Sequence, residues 1–234
     1  MSQSPITPNN RLLAGLSQED LSLLLPHMQR MGIEQRTVLY DIGTPFEHVY
    51  FMEQGVASII NIMENGASIE VGMIGLEGMV SVSAMLGDKT SKHHVVIQLP
   101  GVALKINAAR CKEAFEQSPG IRSKILHFAS AFLNMNAQTS ACNWLHSVEQ
   151  RFARWLLMSA DRFRSNKLPL TQDYIATMLG VRRPGVSETA SELQRSGLIG
   201  YKHGLIEIID REGLEQAACE CYAIDRNQFE ELMS

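Results

Sequence analysis

No apolar run in this sequence reaches the ~18–20 residues that a membrane-spanning helix requires. The opening residues, MSQSPITPNNRLLAGL, lack the basic segment and long apolar stretch of a signal peptide. A cytoplasmic protein with no membrane partner is the expectation. Cysteine is scarce, and Cys111, Cys142, Cys219 and Cys221 are spaced for neither a CxxC zinc pair nor the dense disulfide frame of a small secreted domain. Four reduced thiols are therefore expected, with no metal and no cofactor. Also missing are a phosphate loop, an HExxH and any Ser/His/Asp arrangement; His27, His48 and His127 stand singly. No catalytic residue emerges, and the chain does not read as an enzyme.

An excess of positive charge is missing too: the net charge is −4. The charge is unevenly divided. Residues 1–145 carry 10 Lys and Arg against 12 Asp and Glu, residues 146–203 carry 9 against 5, and residues 204–234 carry 2 against 8. Attraction to DNA depends on local potential, so a basic segment inside an acidic chain remains compatible with a nucleic-acid partner. Hydrophobic content of 45% is that of a globular protein, and 234 residues suffice for one large domain or two ordinary ones.

The texture changes along the chain. Residues 17–30 open with Ser17, then Glu19 and Asp20, the signature of a helix N-terminus, and Pro26 bends or ends that short helix. From about residue 36 to 107 come the runs TVLYD, EHVYFMEQG, VASIINIME, ASIEVGMIG, HHVVIQL and VALKI, rich in Val and Ile and broken by Gly, Asn and Pro. They predict short antiparallel strands in a sandwich or roll, with a type I′ hairpin turn at Asn65-Gly66. A helical region follows. Ile121, Ile125, Phe128, Phe132, Met135, Thr139 and Cys142 alternate steps of four and three, a narrow heptad stripe. The stripe suits a helix packed on its own domain. It also suits a two-stranded homodimer seam, which the mixed residues between and the helix's place between two differently composed halves favour. A second helix over about 147–164 puts Phe152, Trp155, Leu156 and Phe163 on a core face and Arg151, Arg154, Arg162 and Arg164 around the other sides.

Residues 170–210 carry the strongest motif. Thr171 can cap a helix whose apolar face is Ile175, Met178 and Leu179. Gly180 is placed for a tight turn and Val181 returns to the core. A second helix starts near Arg183 with Pro184 in its first turn, where a missing N–H does no harm. Val186 and Leu193 face inward. Ser196-Gly197 ends this helix, and a hairpin with its tip at Tyr201–Gly204 follows. Helix, glycine turn, helix and wing make a winged helix-turn-helix. The N-terminal part of a recognition helix enters the major groove. Here it offers Arg182, Arg183, Ser187 and Glu188. Arg183 is the candidate for bidentate reading of guanine, and Ser187 and Glu188 lie near the same face. Arg182, Thr171, Gln172, Lys202 and His203 are candidates for backbone contacts that position the helix.

With these motifs the chain resembles the Crp/Fnr family of bacterial transcription regulators. The strand region with Gly55 and Gly66, the segment Ile74-Gly75-Leu76-Glu77-Gly78-Met79-Val80, the linking helix and the winged helix stand in that family's order. The resemblance implies an α+β chain: a cyclic-nucleotide-binding-like β-roll sensor over 1–120, a dimerisation helix over 121–145 and a winged helix-turn-helix over 146–234. It implies a homodimer on double-stranded DNA at a pseudo-palindromic operator, with Ile121, Ile125, Phe128, Phe132 and Met135 as the dimer seam. There are departures. Where cyclic-AMP-binding members hold ribose with Gly-Glu and phosphate with Arg-Ser or Arg-Thr, this chain reads Ser81-Val82 and Ser91-Lys92. The N-terminal cysteine cluster of the iron–sulfur members is absent. His93 and His94 are adjacent on a strand and face opposite sides, which argues against haem. Pro184 and Glu188 stand where the cyclic-AMP member reads its half-site with Glu and a second Arg. Two modes of action stay open: control by an unknown small-molecule effector, or ligand-independent binding with the β-roll as a dimer scaffold and contact for RNA polymerase. The alternative from another class is a cyclic-nucleotide-binding regulatory protein acting on a partner.

Overall fold

The computed structural model describes residues 7–233; the first six residues of the opening stretch lie outside it. Helices α1 (Arg11–Ala14) and α2 (Gln18–Leu24) open the chain, and Ser17 caps α2 through the Asp20 N–H. Pro26 falls in a single 3-10 turn, Leu25–His27, that ends α2 as expected. Strand β1 (Met28–Ile33) follows at once, in a stretch whose residues carry no clear strand signal.

Strands β2 (Val38–Tyr40), β3 (His48–Ile62), β4 (Ser68–Ile74), β5 (Met79–Val80) and β6 (His94–Asn107) complete an antiparallel sheet in the order β1-β6-β3-β4, with β2 on β6 and β5 on β3. Helix α3 (Val82–Leu86) sits between β5 and β6. The expected short strands on either side of Gly55, and of Pro100-Gly101, are continuous. Instead of ending, β3 and β6 bend there together, with three register shifts between Met52 and Ala57. Gly55 has φ 88°, and a Cβ on it would stand 2.7 Å from the Leu99 carbonyl oxygen. Only glycine lets the two backbones pass this closely, and the bend rolls the sheet. The hairpin at Glu64–Gly66 is not type I′: only Gly66 has positive φ, and the Gly66 N–H donates to Met63 while Met63 N–H donates to Ala67. This is a type I turn closed by a bulge at Gly66.

Helix α4 (Ala108–Gln117) leads into α5 (Pro119–Leu145), capped by Ser118. Helix α6 (Val148–Phe163) begins with a capping box of Ser147 and Gln150. Then come β7 (Lys167–Leu168), α7 (Gln172–Leu179), α8 (Arg183–Arg195), β8 (Ile199–Lys202), β9 (Leu205–Ile208), α9 (Arg211–Ala217) and α10 (Cys221–Met233). A three-stranded sheet, β7-β9-β8, forms the wing.

Two cores result. The first fills the roll and takes in α1, α2, α4 and one face of α5. The second joins Val56, Ile60, Met73, Val96 and Leu99 of the roll to α6, α7, α8 and the wing, so the winged helix docks on the roll's outer surface. Polar groups cross this contact. Glu77 and Arg162 form an ion pair of 2.8 Å with side chains 0% and 2% exposed. Glu70 accepts the Trp155 indole N–H at 2.9 Å and bonds Ser58. Gln98 donates to Ser159 at 2.8 Å. The last helix departs from the expected layout: α10 packs on α5 and touches α1, and Leu232 joins the core of the roll. It belongs in space with both halves of the molecule.

Candidate nucleic-acid interface

Thr171 caps α7 by accepting the Tyr174 N–H at 3.3 Å, and Ile175, Met178 and Leu179 are buried as expected. Gly180 has φ 64°, and a Cβ there would stand 2.8 Å from Ile69 of the roll. The turn therefore requires glycine on both counts. Arg182 is the N-cap of α8, Pro184 lies in its first turn, and Val186 and Leu193 face inward. His203 and Gly204 both have positive φ, as the two-residue turn between Lys202 and Leu205 demands.

The candidate DNA residues gather on one surface. Arg182, Arg183 and Glu188 are exposed at the start of α8, and Lys202 and His203 are exposed at the wing tip. The tip lies against the start of α7, where a Cβ on Gly204 would be 3.5 Å from the Thr171 methyl. Ser187 is half-buried and donates to Gln172 at 2.7 Å, which ties α8 to the first turn of α7. Arg183 makes a 3.3 Å pair with Asp173, both side chains well exposed. A pair this open is held weakly, so the guanidinium can exchange Asp173 for a base or phosphate. One residue was not singled out from the sequence. Tyr201 packs beside Gln172, Asp173 and Arg183, and burial pushes its phenol above the ordinary range, so it stays a neutral donor.

The arginines of α6 correct the sequence reading. Arg151, Arg154 and Arg162 are buried rather than arrayed around the solvent side. Arg162 pairs with Glu77, and Arg154 with Asp225 at 2.5 Å. Arg151 donates to the carbonyl of Leu179, the last residue of α7, and so holds the helix-turn-helix against α6. Their charge is spent on architecture and is not available to DNA.

The predicted seam residues are corrected as well. Ile121, Ile125, Phe128 and Met135 are 0%, 0%, 1% and 4% exposed, and Ile121, Ile125 and Phe128 join the core of the chain's own roll. Phe132 is half-buried against the same core. The heptad period is real, but the stripe packs within its own chain: Ile121 to Phe132 on the roll, and Met135, Thr139 and Cys142 against Arg162, Arg154 and Cys219. Helix α5 carries a second stripe, Leu126, Ser130, Leu133, Ala137, Ser140 and Trp144, at steps of four and three, and it is exposed throughout.

Between the roll and α5 lies a cavity of about 190 Å³ lined by Ile59, Ile74, Val82, Val95, Phe132 and Leu133, among others. His93 and Ser91 are among its polar groups, and no Lys, Arg, Asp or Glu among the described residues lines it. Lys92 is exposed and is not among the lining residues. No lysine or arginine of the lining supplies the counter-charge that a cyclic nucleotide's phosphate needs, so these residues do not fit that ligand.

Two family descriptions fit the chain: "Cyclic nucleotide-binding domain" over residues 31–118 and "Crp-like helix-turn-helix domain" over residues 150–217. Among characterised proteins, it is 22% identical over 209 residues to the transcriptional activator protein anr of Pseudomonas aeruginosa, covering 83% of each chain. It is 22% identical over 196 residues to the transcriptional regulatory protein btr of Bordetella pertussis, covering 80% of each. Its fold matches that of TTHB099, a CRP-family transcriptional regulator of Thermus thermophilus, with TM-score 0.69 at 17% identity over 81% of this chain and 96% of the other. It likewise matches CLP of Xanthomonas campestris, described as a c-di-GMP responsive global regulator, with TM-score 0.68 at 18% identity over 82% and 98%.

Proposed function

Because the chain belongs to the Crp/Fnr family of transcription regulators, we propose that it binds a pseudo-palindromic operator as a homodimer and reads each half-site with the first turns of α8. The observation that carries this reading is the cluster of exposed groups at one end of the winged helix: Arg182, Arg183 and Glu188 on α8, with Lys202 and His203 on the wing. Arg183 reads a guanine edge, and Glu188, exposed five residues further along α8, accepts from a cytosine amino group. Arg182, Lys202, His203 and the capped start of α7, Thr171 and Gln172, hold the sugar–phosphate backbone. Ser187, engaged by Gln172, positions the helix more than it reads sequence.

The dimer forms along the exposed stripe of α5, from Leu126 through Leu133 to Trp144, which is 87% exposed in the single chain. Large apolar side chains spaced by the small Ser130, Ala137 and Ser140 on one helix face are what a two-stranded seam buries. The two recognition helices then lie ~34 Å apart, one turn of DNA. The domains divide at the ends of α5, with 1–120 as sensor, 121–145 as dimer helix and 146–234 as the DNA-binding part, α10 returning to the sensor.

Any effector is a small, largely apolar molecule in the cavity beside Phe132 and Leu133. Leu133 belongs to the proposed seam, so filling the cavity bears on dimer geometry, provided the effector binds one dimer state better than the other. RNA polymerase is a further partner of the exposed roll surface. The test is selection of binding sites from a randomised DNA pool by the purified chain, with affinity followed against salt. A recovered palindrome with half-sites one turn apart supports the reading. Binding that is equal on every sequence, with and without cell extract, contradicts it.

A further inference from the structure

The spacing of the cysteines along the chain suggests no metal site, yet folding brings three of them to one point with a histidine. The thiol sulfurs of Cys142, Cys219 and Cys221 and a ring nitrogen of His146 all lie within 4.8 Å of one another. Cys142 and Cys219 are 77 positions apart in sequence and their sulfurs are 3.5 Å apart. Cys221 Sγ is 3.6 Å from His146 Nδ1. The cysteines are 0%, 4% and 1% exposed, and they form a small buried cluster of their own, separate from both large cores.

From this geometry we propose that Cys142, His146, Cys219 and Cys221 are the four ligands of a single tetrahedral divalent ion of the zinc class. The distances match. Ligand bonds of ~2.3 Å to sulfur and ~2.0–2.1 Å to nitrogen give tetrahedral edges of roughly 3.8 Å between sulfurs and 3.6 Å between sulfur and nitrogen. Three thiolates and an imidazole are a regular structural zinc set. A cluster of several irons needs its thiolates spread more widely than this. All three cysteines are free and buried.

The surroundings are those of a built site. His146 Nε2 lies 3.2 Å from the Glu220 carboxylate. A carboxylate on the far nitrogen holds the proton there and leaves the Nδ1 lone pair facing the thiols. Gln138 donates an N–H to Cys221 Sγ at 3.0 Å, which orients that sulfur. Binding releases three thiol protons to solvent and leaves a centre of net charge −1. Arg151 and Arg154 lie close enough to interact with the thiols electrostatically, and they offset that charge.

The site has a mechanical role. Cys142 lies in the last turn of α5, and His146 is the residue on which α5 ends. Cys219 and Cys221 lie at the passage from α9 to α10. The ion therefore clamps the end of α5 to the chain leaving the winged helix, and fixes the angle between the two. This proposal does not depend on the DNA reading.

The test uses the full-length protein, reduced, stripped of metal with a chelator and reloaded with Zn²⁺ or Co²⁺. The expected result is about one ion per chain and the visible absorption of tetrahedral thiolate-bound cobalt. Cys111→Ser, remote from the site, should keep both, whereas Cys219→Ser and His146→Gln should lose the cobalt spectrum or weaken binding by at least tenfold. The spectrum of the unaltered protein decides the matter even if Cys219→Ser fails to fold. Folded, reduced protein that takes up no cobalt overturns the proposal. So does a brown iron chromophore with acid-labile sulfide, or a Cys142–Cys219 disulfide in protein isolated without reductant that still forms after zinc is supplied.

Discussion

Replacing Glu70 by Gln should abolish a pH dependence built into the contact between the roll and the winged helix. Glu70 is buried, and burial is the largest influence on its carboxyl group, raising it from 4.5 to about 7 against the opposing pull of Ser58, Trp155 and the arginines Arg162 and Arg154. Proton counting supports a neutral Glu70. Ser58 has one hydroxyl hydrogen and two acceptor neighbours, Glu70 and Gln98. A protonated Glu70 donates to Ser58, which then donates to Gln98, and every group is satisfied. Between pH 4.5 and about 7 the folded chain holds a proton that the unfolded chain has released. Stability from this group therefore falls as pH rises through that window. At ~1.4 kcal/mol per pH unit the loss is about 3 kcal/mol at most. Glu70→Gln mimics the neutral acid, so it should match the unaltered protein near pH 4.5 and exceed it by up to about 3 kcal/mol at pH 8. Urea denaturation of both proteins at each pH reads this difference directly, with other carboxylates cancelling. Parallel stability curves across that range would refute the argument.

Three further outcomes follow from named contacts. Arg162→Met strands Glu77 in the core and should cost about 3–5 kcal/mol, while the double change with Glu77→Gln should recover most of it; a denaturant double-mutant cycle with no coupling would show the pair to be incidental. Leu133→Asp, on the exposed stripe of α5, should convert a dimer to a folded monomer by light scattering. Ile125→Asp, on the buried stripe, should unfold the roll instead, and the opposite assignment of the two outcomes would return the seam to the buried face. Gly180→Ala should weaken folding through both the left-handed backbone and the contact with Ile69, at a cost of about 1 kcal/mol or more; unchanged thermal stability would argue against the docked turn.

Much of the fold was legible because local signals were strong. The turn at Gly180, the cap at Thr171 and Pro184 in the first turn of α8 each require particular residues at particular spacings and are where the sequence placed them; the wing is there too, with a tip tightened to His203-Gly204 because Tyr201 and Lys202 pair within the hairpin. What escaped depended on contacts distant in sequence. Gly55 and Pro100 read as breaks because a single strand carries no sign that its partner bends with it. The α6 arginines read as solvent-facing because their acids, Glu77 and Asp225, lie far away along the chain. The heptad stripe of α5 was correctly periodic, yet periodicity cannot say whether the surface it meets is the chain's own sheet or a second copy. The cysteine group was invisible for the same reason: its ligands come from both ends of a long stretch, in no local motif.

The measurement that bears most directly on the central claim is fluorescence anisotropy of Arg183→Ala against the unaltered protein, on a selected operator and on a random duplex of equal length and salt. If α8 reads DNA through Arg183, the change should cost ~1–3 kcal/mol on the operator, relax the choice at one base pair of each half-site and leave random-sequence binding nearly untouched. Equal losses on both duplexes would reduce Arg183 to a phosphate contact, and no loss on either would mean that α8 is not the reading helix.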